Sequence, residues 1–247
     1  MSDGLSPLEI EVAQRVTAVR RRIEAAATAA GRSPGEVQLV GVSKRQPTER
    51  IVAAVKAGVG MLGENYVQEA VAKRSALVET LASQGLSLPR WHMIGHIQRR
   101  KARLVVETFD AVESVDRQEL ADELNRRAQQ QDRRVPILMQ VNVSGENQKS
   151  GVGAEAAESL AAHCLALPHV ELTGLMAIPA NATDPESNRP AFRELREMRD
   201  RLCALPGGDS IRELSMGMSG DFEVAISEGA TRVRVGTALF GPRDEQP

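Results

Sequence analysis

The sequence predicts an α/β fold: a (β/α)8 barrel of the TIM type with one extra helix at its N-terminal end. Three observations predict it. Eight short β-branched runs alternate with helical patterns along 247 residues, and such alternation makes a parallel sheet with helices outside it. Eight units in about 250 residues match a closed barrel, whereas a doubly wound open sheet uses about five or six strands. The chemically unusual residues gather just after the runs, at the rim where barrels build their sites. No Pro/Gly/Ser-rich linker and no low-complexity tract divides the chain, so residues 1–247 are expected to form one domain.

Leu8, Val12, Val16, Val19 and Ile23 recur at helical spacing, giving a helix over 7–30 that Gly31 stops. Val37–Val42 is the first strand and 47–57 the first crossover helix. Met61–Leu62 is the shortest run, followed by a helix over 65–82. Trp91–Ile94 leads into a helix over 98–106, and Phe109–Val112 into one over 116–131. Val135–Val143 precedes a helix over 154–166, and Val170–Leu175 precedes one over 186–203. Between those last two the segment Ala180–Arg189 has the least pattern and is expected to be a mobile loop. Ile211–Leu214 then precedes a helix over 219–228, and Arg232–Val235 a short helical turn, Thr237–Phe240.

Composition narrows the function. Apolar residues make up 42 % and charged residues 26 %, ordinary for a folded globular chain. A net charge of −2 argues against a general binder of nucleic acid or of anionic membranes. Aromatics at 2 % argue against base-stacking platforms. No run reaches the roughly 18 apolar residues of a membrane span. Met1–Ile10 lacks the basic and then apolar order of a signal peptide, so a cytoplasmic location is expected. Cys164 and Cys203 lie in helical stretches without a partner motif and do not indicate a disulfide.

Only five of the 31 basic residues are lysines, so a lysine ending an apolar strand needs a reason. Lys44 shares a strand face with Val40 and Val42. If that face points inward, the ammonium tops an apolar lining. Desolvation there lowers its pKa, and a neutral amine attacks carbonyls. The plain alternative is a lysine snorkelling from a strand end. Arg232, Arg234 and Gly236 share one face of the last strand, and an inward Arg234 needs an acceptor or an anion. Gly236 and Thr237 open a helical turn whose N–H groups and hydroxyl suit a phosphate; Ser219-Gly220 opens the preceding helix and offers a second cradle. Taken singly, Ser219 reads as an N-cap and Gly236 as a turn glycine. Taken together with Lys44, these residues describe one ligand. It has an aldehyde for the lysine, a phosphate, and a ring nitrogen near an arginine, which is pyridoxal phosphate (PLP) held as a Schiff base.

Other features carry less. His92 and His96 stand four apart on a strand, but zinc needs a third ligand and no motif supplies one. They read as a strand histidine with a hydrogen-bond partner and a rim residue. Met176, Met216 and Met218 read as pocket filling. Arg99, Arg100, Lys101 and Arg103 form a basic cluster that reads as a solvated helix face.

Eight stretches carry a resemblance to a known family: LVGVSKRQP (39–47), GENYVQE (63–69), WHMIGHIQRRK (91–101), ESVD (113–116), QVNVSGENQKSGV (140–152), GLMAI (174–178), LSMGMSGDFEVAI (214–226) and VRVGTALFG (233–241). In order and over almost the whole chain, they are similar to the pyridoxal phosphate homeostasis proteins, relatives of the alanine racemase N-terminal barrel (PLP fold type III). The resemblance implies a (β/α)8 barrel with an extra N-terminal helix. It implies that Lys44 forms the Schiff base and that Arg234 faces the pyridine nitrogen. Ser219, Gly236 and Thr237 would hold the phosphate, and Asn65 would lie beside the cofactor. Three departures are expected to bear only on the outer rim. Tyr66 stands where the family usually has Arg, Arg99-Arg100 where an Asn is common, and Glu113 where His is frequent.

An arginine cannot accept a proton, so the ring facing it stays unprotonated and is a poorer electron sink. A racemase also needs a second acid/base, which the alanine racemases supply as a Tyr presented with an additional β-domain. This chain ends at Pro247, soon after the eighth strand, and its only tyrosine is Tyr66. The expectation is therefore a carrier in intracellular vitamin B6 homeostasis. The alternative is a weak PLP-dependent amino-acid racemase using Tyr66 or His96. Expected partners are PLP, amino acids that displace Lys44 by transimination, and PLP-dependent apo-enzymes. Family analogy points to a monomer.

Overall fold

The structure, a computed structural model, describes residues 4–143, 150–180 and 182–241. Residues 144–149 of the matching stretch QVNVSGENQKSGV, with Ser144, Gly145 and Glu146 just after the fifth strand, lie outside the described residues.

The first helix, α1 (Pro7–Ala29), starts where Ser6 and Glu9 cap each other. The Ser6 Oγ accepts from the Glu9 N–H at 3.3 Å, and a Glu9 carboxylate oxygen accepts from the Ser6 N–H at 2.7 Å. One stripe of α1, including Val12, Val16, Val19 and Ile23, is buried. It packs across the helices α2 (Thr48–Lys56) and α8 (Phe222–Ser227) and the turn α9 (Thr237–Phe240).

The strands are β1 (Gln38–Val42), β2 (Met61–Glu64), β3 (Arg90–Met93), β4 (Ala111–Val115), β5 (Val135–Val141), β6 (Val170–Ala177), β7 (Glu213–Ser215) and β8 (Arg232–Val235). Between them run α2, α3 (Val67–Ser83), α4 (Ala102–Thr108), α5 (Gln118–Gln129), α6 (Ala154–Leu165), α7 (Arg189–Cys203) and α8. All eight strands are parallel and pair in sequence order, and β8 returns to β1 with Val40 beside Arg234. Closure leaves no strand edge exposed.

The two faces of the barrel wall differ. Alternation along β8 sends Val233 and Val235 outward into the apolar layer under the helices, and Arg232 and Arg234 the other way. The interior is therefore apolar at positions such as Val40, Leu138 and Met176 but holds charge near its centre.

Two element boundaries are corrected. The fourth strand begins at Ala111 rather than Phe109 and runs to Val115. Phe109 packs into the core, and Asp110 uses its carboxylate to take the Trp91 N–H at 2.7 Å. Glu113 is therefore a strand residue inside the fold and not on the rim. The predicted helix over 98–106 begins as a 3-10 turn, Arg99–Lys101, and continues as α4. The segment 180–189, the least patterned in sequence, carries a 3-10 turn, Pro185–Asn188, whose Asp184 side chain accepts the Glu186 N–H. Cys164 and Cys203 are free thiols. Among the described residues no helix is long and apolar enough to cross a membrane.

Candidate functional site

A cavity of about 280 Å³ opens at the C-terminal ends of the strands. Val42 ends β1 and Lys44 follows it, Asn65 comes directly after β2, and Ile94 directly after β3. The loop after β6 supplies Ile178, Ala180, Ala182 and Asn188. The loop after β7 supplies Met218, Ser219, Gly220 and Asp221, and β8 with its turn supplies Arg234, Gly236 and Thr237. All six residues singled out from the sequence thus line one cavity.

The direction in which Lys44 leaves β1 is set by its neighbours. The Ser43 hydroxyl donates to Glu64 Oε1 at 2.8 Å, and Lys73 of α3 donates to the same carboxylate oxygen at 2.9 Å and to the Ser43 carbonyl. Glu69 accepts from the Arg45 N–H and pairs with Lys73 at 2.6 Å. Arg45 itself has φ 57°, a left-handed conformation that costs a non-glycine residue about 1–2 kcal/mol. Hydrogen bonds on both sides of Lys44 offset that strain.

Burial pushes the Glu64 carboxyl above its ordinary pKa, although Lys73 and Ser43 pull it down. A carboxyl raised in the fold contributes more stability as pH falls through that raised value, and less above it. Glu64→Gln keeps an oxygen for both Ser43 and Lys73 and removes the buried charge. It should melt within about 1 kcal/mol of the parent at pH 7. The rise in parental stability as pH is lowered from 7 toward 5 should be reduced in the variant; thermal melts at the two pH values check this.

Arg234 is held from behind. One Nη donates to the Ser215 hydroxyl at 2.7 Å and the other to the Ala177 carbonyl at 2.8 Å. Burial lowers its pKa, while Glu113 and Asp221 favour the cation. Asp221 accepts from the Met218 N–H at 2.7 Å and from the Asn188 amide at 2.9 Å, tying the loop after β6 to the loop after β7. Ser219 Oγ accepts from the Ala238 N–H at 3.4 Å and joins the β7 and β8 loops.

Two observations mark space kept for a ligand. The buried Asn65 Oδ1 has no hydrogen-bond partner among the described residues. A Cβ on Gly236 would meet nothing nearer than Val42 at 3.6 Å, and one on Gly220 nothing within 4 Å. The fold's own packing does not require glycine at either position.

His92 and His96 do not come together. β3 ends at Met93, His92 is buried in the barrel against Glu113, and His96 lies on the rim 3.8 Å from Asp116. No metal-binding cluster occurs among the described residues. Tyr66 is exposed, outside the cavity lining. Of the departures expected at the rim, Glu113 is corrected: it is fully buried and bonded to the serine that holds Arg234. Sequence reasoning missed Ser215, Glu113, Lys73, Asn188 and Asp221. A charged residue inside an apolar run was the available signal for Glu113. Lys73 gave none, because its contacts with Ser43 join separate elements.

The alanine racemase N-terminal domain family matches residues 15–244. The chain is 42 % identical to the pyridoxal phosphate homeostasis protein of Escherichia coli (strain K12), covering 95 % of this chain and 97 % of that one. It is 45 % identical to the protein of that name from Vibrio alginolyticus, over 87 % of this chain and 90 % of the other. Among solved structures it is similar to PipY of Synechococcus elongatus PCC7942 with PLP bound, at TM-score 0.81 and 35 % identity, covering 93 % of this chain and all of that one. The alanine racemase of Corynebacterium glutamicum shares the fold, at TM-score 0.60 and 18 % identity over 91 % of this chain and 60 % of that one. By these matches, and with the closed eight-stranded barrel that carries its cavity, the chain belongs to the pyridoxal phosphate homeostasis protein family.

Proposed function

We propose that this protein binds PLP in the rim cavity, holds it as a Schiff base on Lys44, and serves intracellular PLP homeostasis as a carrier. One observation carries the reading: Lys44, Arg234 and the Ser219, Gly236 and Thr237 group converge on a single cavity from separate segments of chain. The PLP-bound relative and the names of the curated relatives support it.

When bound, PLP supplies an aldehyde that condenses with an amine and a ring that withdraws electrons. Lys44 supplies the amine, aimed by the hydrogen bonds at Ser43 and Arg45. Arg234 has only donors, so beside the ring nitrogen it would offer an N–H and take no proton. Ser219, Gly236 and Thr237 would hold the phosphate, and Asn65, whose buried oxygen has no partner among the described residues, would lie beside the cofactor. A second proton-transfer group would be needed for efficient racemisation. Besides Lys44, the ionisable side chains among the described lining residues are Arg234 and Asp221. The arginine is a poor base, and both oxygens of Asp221 are engaged by Met218 and Asn188. These features favour carriage over turnover.

The test is the visible spectrum of purified protein mixed with PLP, before and after borohydride, followed by peptide mass mapping. A band that disappears on reduction, with a pyridoxyl group on Lys44, is expected. No band with added PLP would overturn the reading. Rapid incorporation of solvent deuterium at Cα of added amino acids would replace the carrier with the racemase alternative.

A further inference from the structure

The centre of the barrel holds a connected set of charges below the cavity. Arg232 and Arg234 point inward from β8 and are each about 4 % exposed. Glu113 from β4, His92 from β3 and Ser215 from β7 are fully buried. The Ser215 hydroxyl donates to Glu113 Oε2 at 2.5 Å and accepts from Arg234 at 2.7 Å. The other carboxylate oxygen, Oε1, lies 2.6 Å from His92 Nδ1 and 3.7 Å from the Arg232 guanidinium. Arg232 has its own partner in Glu213, which is in turn bonded by Thr173 at 2.7 Å.

The geometry decides what each group can do. A serine hydroxyl has one proton. Ser215 spends it on Glu113, so it faces Arg234 only as an acceptor. That fixes which way the guanidinium turns. Glu213 serves Arg232, and Glu113 acts on Arg234 as a counter-charge. The other charged group acting on Arg234 is Asp221. Burial of the Glu113 carboxyl is outweighed by His92, Arg232 and Arg234, which hold it ionised.

We propose that Glu113 is a positioning residue for the PLP site: acting through Ser215, it anchors Arg234 against the Ala177 carbonyl with its remaining edge toward the cavity. This rests on the reading of the cavity as a PLP site and extends it to a residue that does not touch the ligand.

Ser215→Ala is the informative variant, because it cuts the link while leaving the Glu113 charge and its His92 and Arg232 contacts in place. Glu113→Gln removes the charge itself, and Ser215→Thr keeps the hydroxyl. Side-chain nitrogen NMR of Arg234 without PLP reads the anchoring directly. Titration with PLP and the pH profile of the visible band read its effect on the site. In the parent, restrained guanidinium signals are expected. Ser215→Ala should release them, weaken PLP binding by about tenfold, the worth of one hydrogen bond to a charged group, and move the midpoint of the pH profile. Ser215→Thr should restore all three. Ser215→Ala with parental Arg234 signals, or with parental PLP affinity and pH midpoint, overturns the proposal. Parental protein with restrained Arg234 signals that Ser215→Ala releases, but with no PLP band, would overturn the cofactor reading and leave Glu113 as the group that anchors Arg234.

Discussion

Lys44→Ala should abolish the visible band that PLP forms with this protein and the borohydride-trapped adduct with it. The argument is one of supply. The chain has five lysines, of which Lys149 lies outside the described residues, and the amine must lie at the cavity. Lys44 lines it. Lys73 lies outside the barrel wall, engaged with Ser43, Glu64 and Glu69. Lys56 pairs with Glu9 on α1, and Lys101 donates to Gln68. No second lysine lines the cavity among its described residues. Residual binding through the Ser219, Gly236 and Thr237 group should survive as a weak, non-covalent complex without the band. Absorbance titration, with equilibrium dialysis for the residual component, checks both parts. An unchanged band in the variant would place the Schiff base on another amine.

Gly95→Ala should be a strongly damaging one-carbon addition near the site. A Cβ there would fall 2.3 Å from the Asn65 carbonyl oxygen and 2.6 Å from the Asn65 Cα. Both are backbone atoms, so no side-chain rotation relieves the clash. Either the end of β2 or the end of β3 must move, and Asn65 moves with it. Overpacking typically costs about 1–3 kcal/mol, and a rigid neighbour puts this case near the upper figure. For a chain of this size about 3 kcal/mol lowers the melting temperature by roughly 6–12 °C. PLP affinity should fall as well, because Asn65 lines the cavity. Gly95→Ala melting like the parent would mean that the β2 and β3 ends separate without cost.

The barrel is legible because its strands differ in kind from its helices. β-branched runs mark the wall and 3.6-residue patterns mark the outer layer, so strand order follows from the alternation alone. Boundaries are less legible where a side chain replaces a backbone partner. Phe109 has every local property of a strand residue, yet Asp110 intervenes with its carboxylate on Trp91 and β4 starts later. Four of the six cavity residues were readable because each is anomalous where it stands: Lys44 and Arg234 at the end of apolar strands, Gly236 and Thr237 opening a helical turn. The sequence places Ser219 at the opening of a helix that in fact starts at Phe222 behind Asp221, and Asn65 comes from the resemblance alone. The supporting residues were not. Ser215 looks ordinary in sequence, and its role exists only because β7 faces β4 across the barrel, a contact between residues 102 apart. Asn188 sits in the least patterned segment and is buried because Asp221, 33 residues on, accepts from it.

The polar centre also bears on how the chain can fold. Arg232 and Arg234 arrive with the last strand, whereas Glu113 waits on the fourth. A compact intermediate without β8 would enclose a carboxylate lacking both arginines and left with His92 alone, and such a charge is costly to bury. Partial barrels are thereby penalised, and assembly is pushed toward a late, concerted closure in which the final strand completes the wall and neutralises its interior in one event.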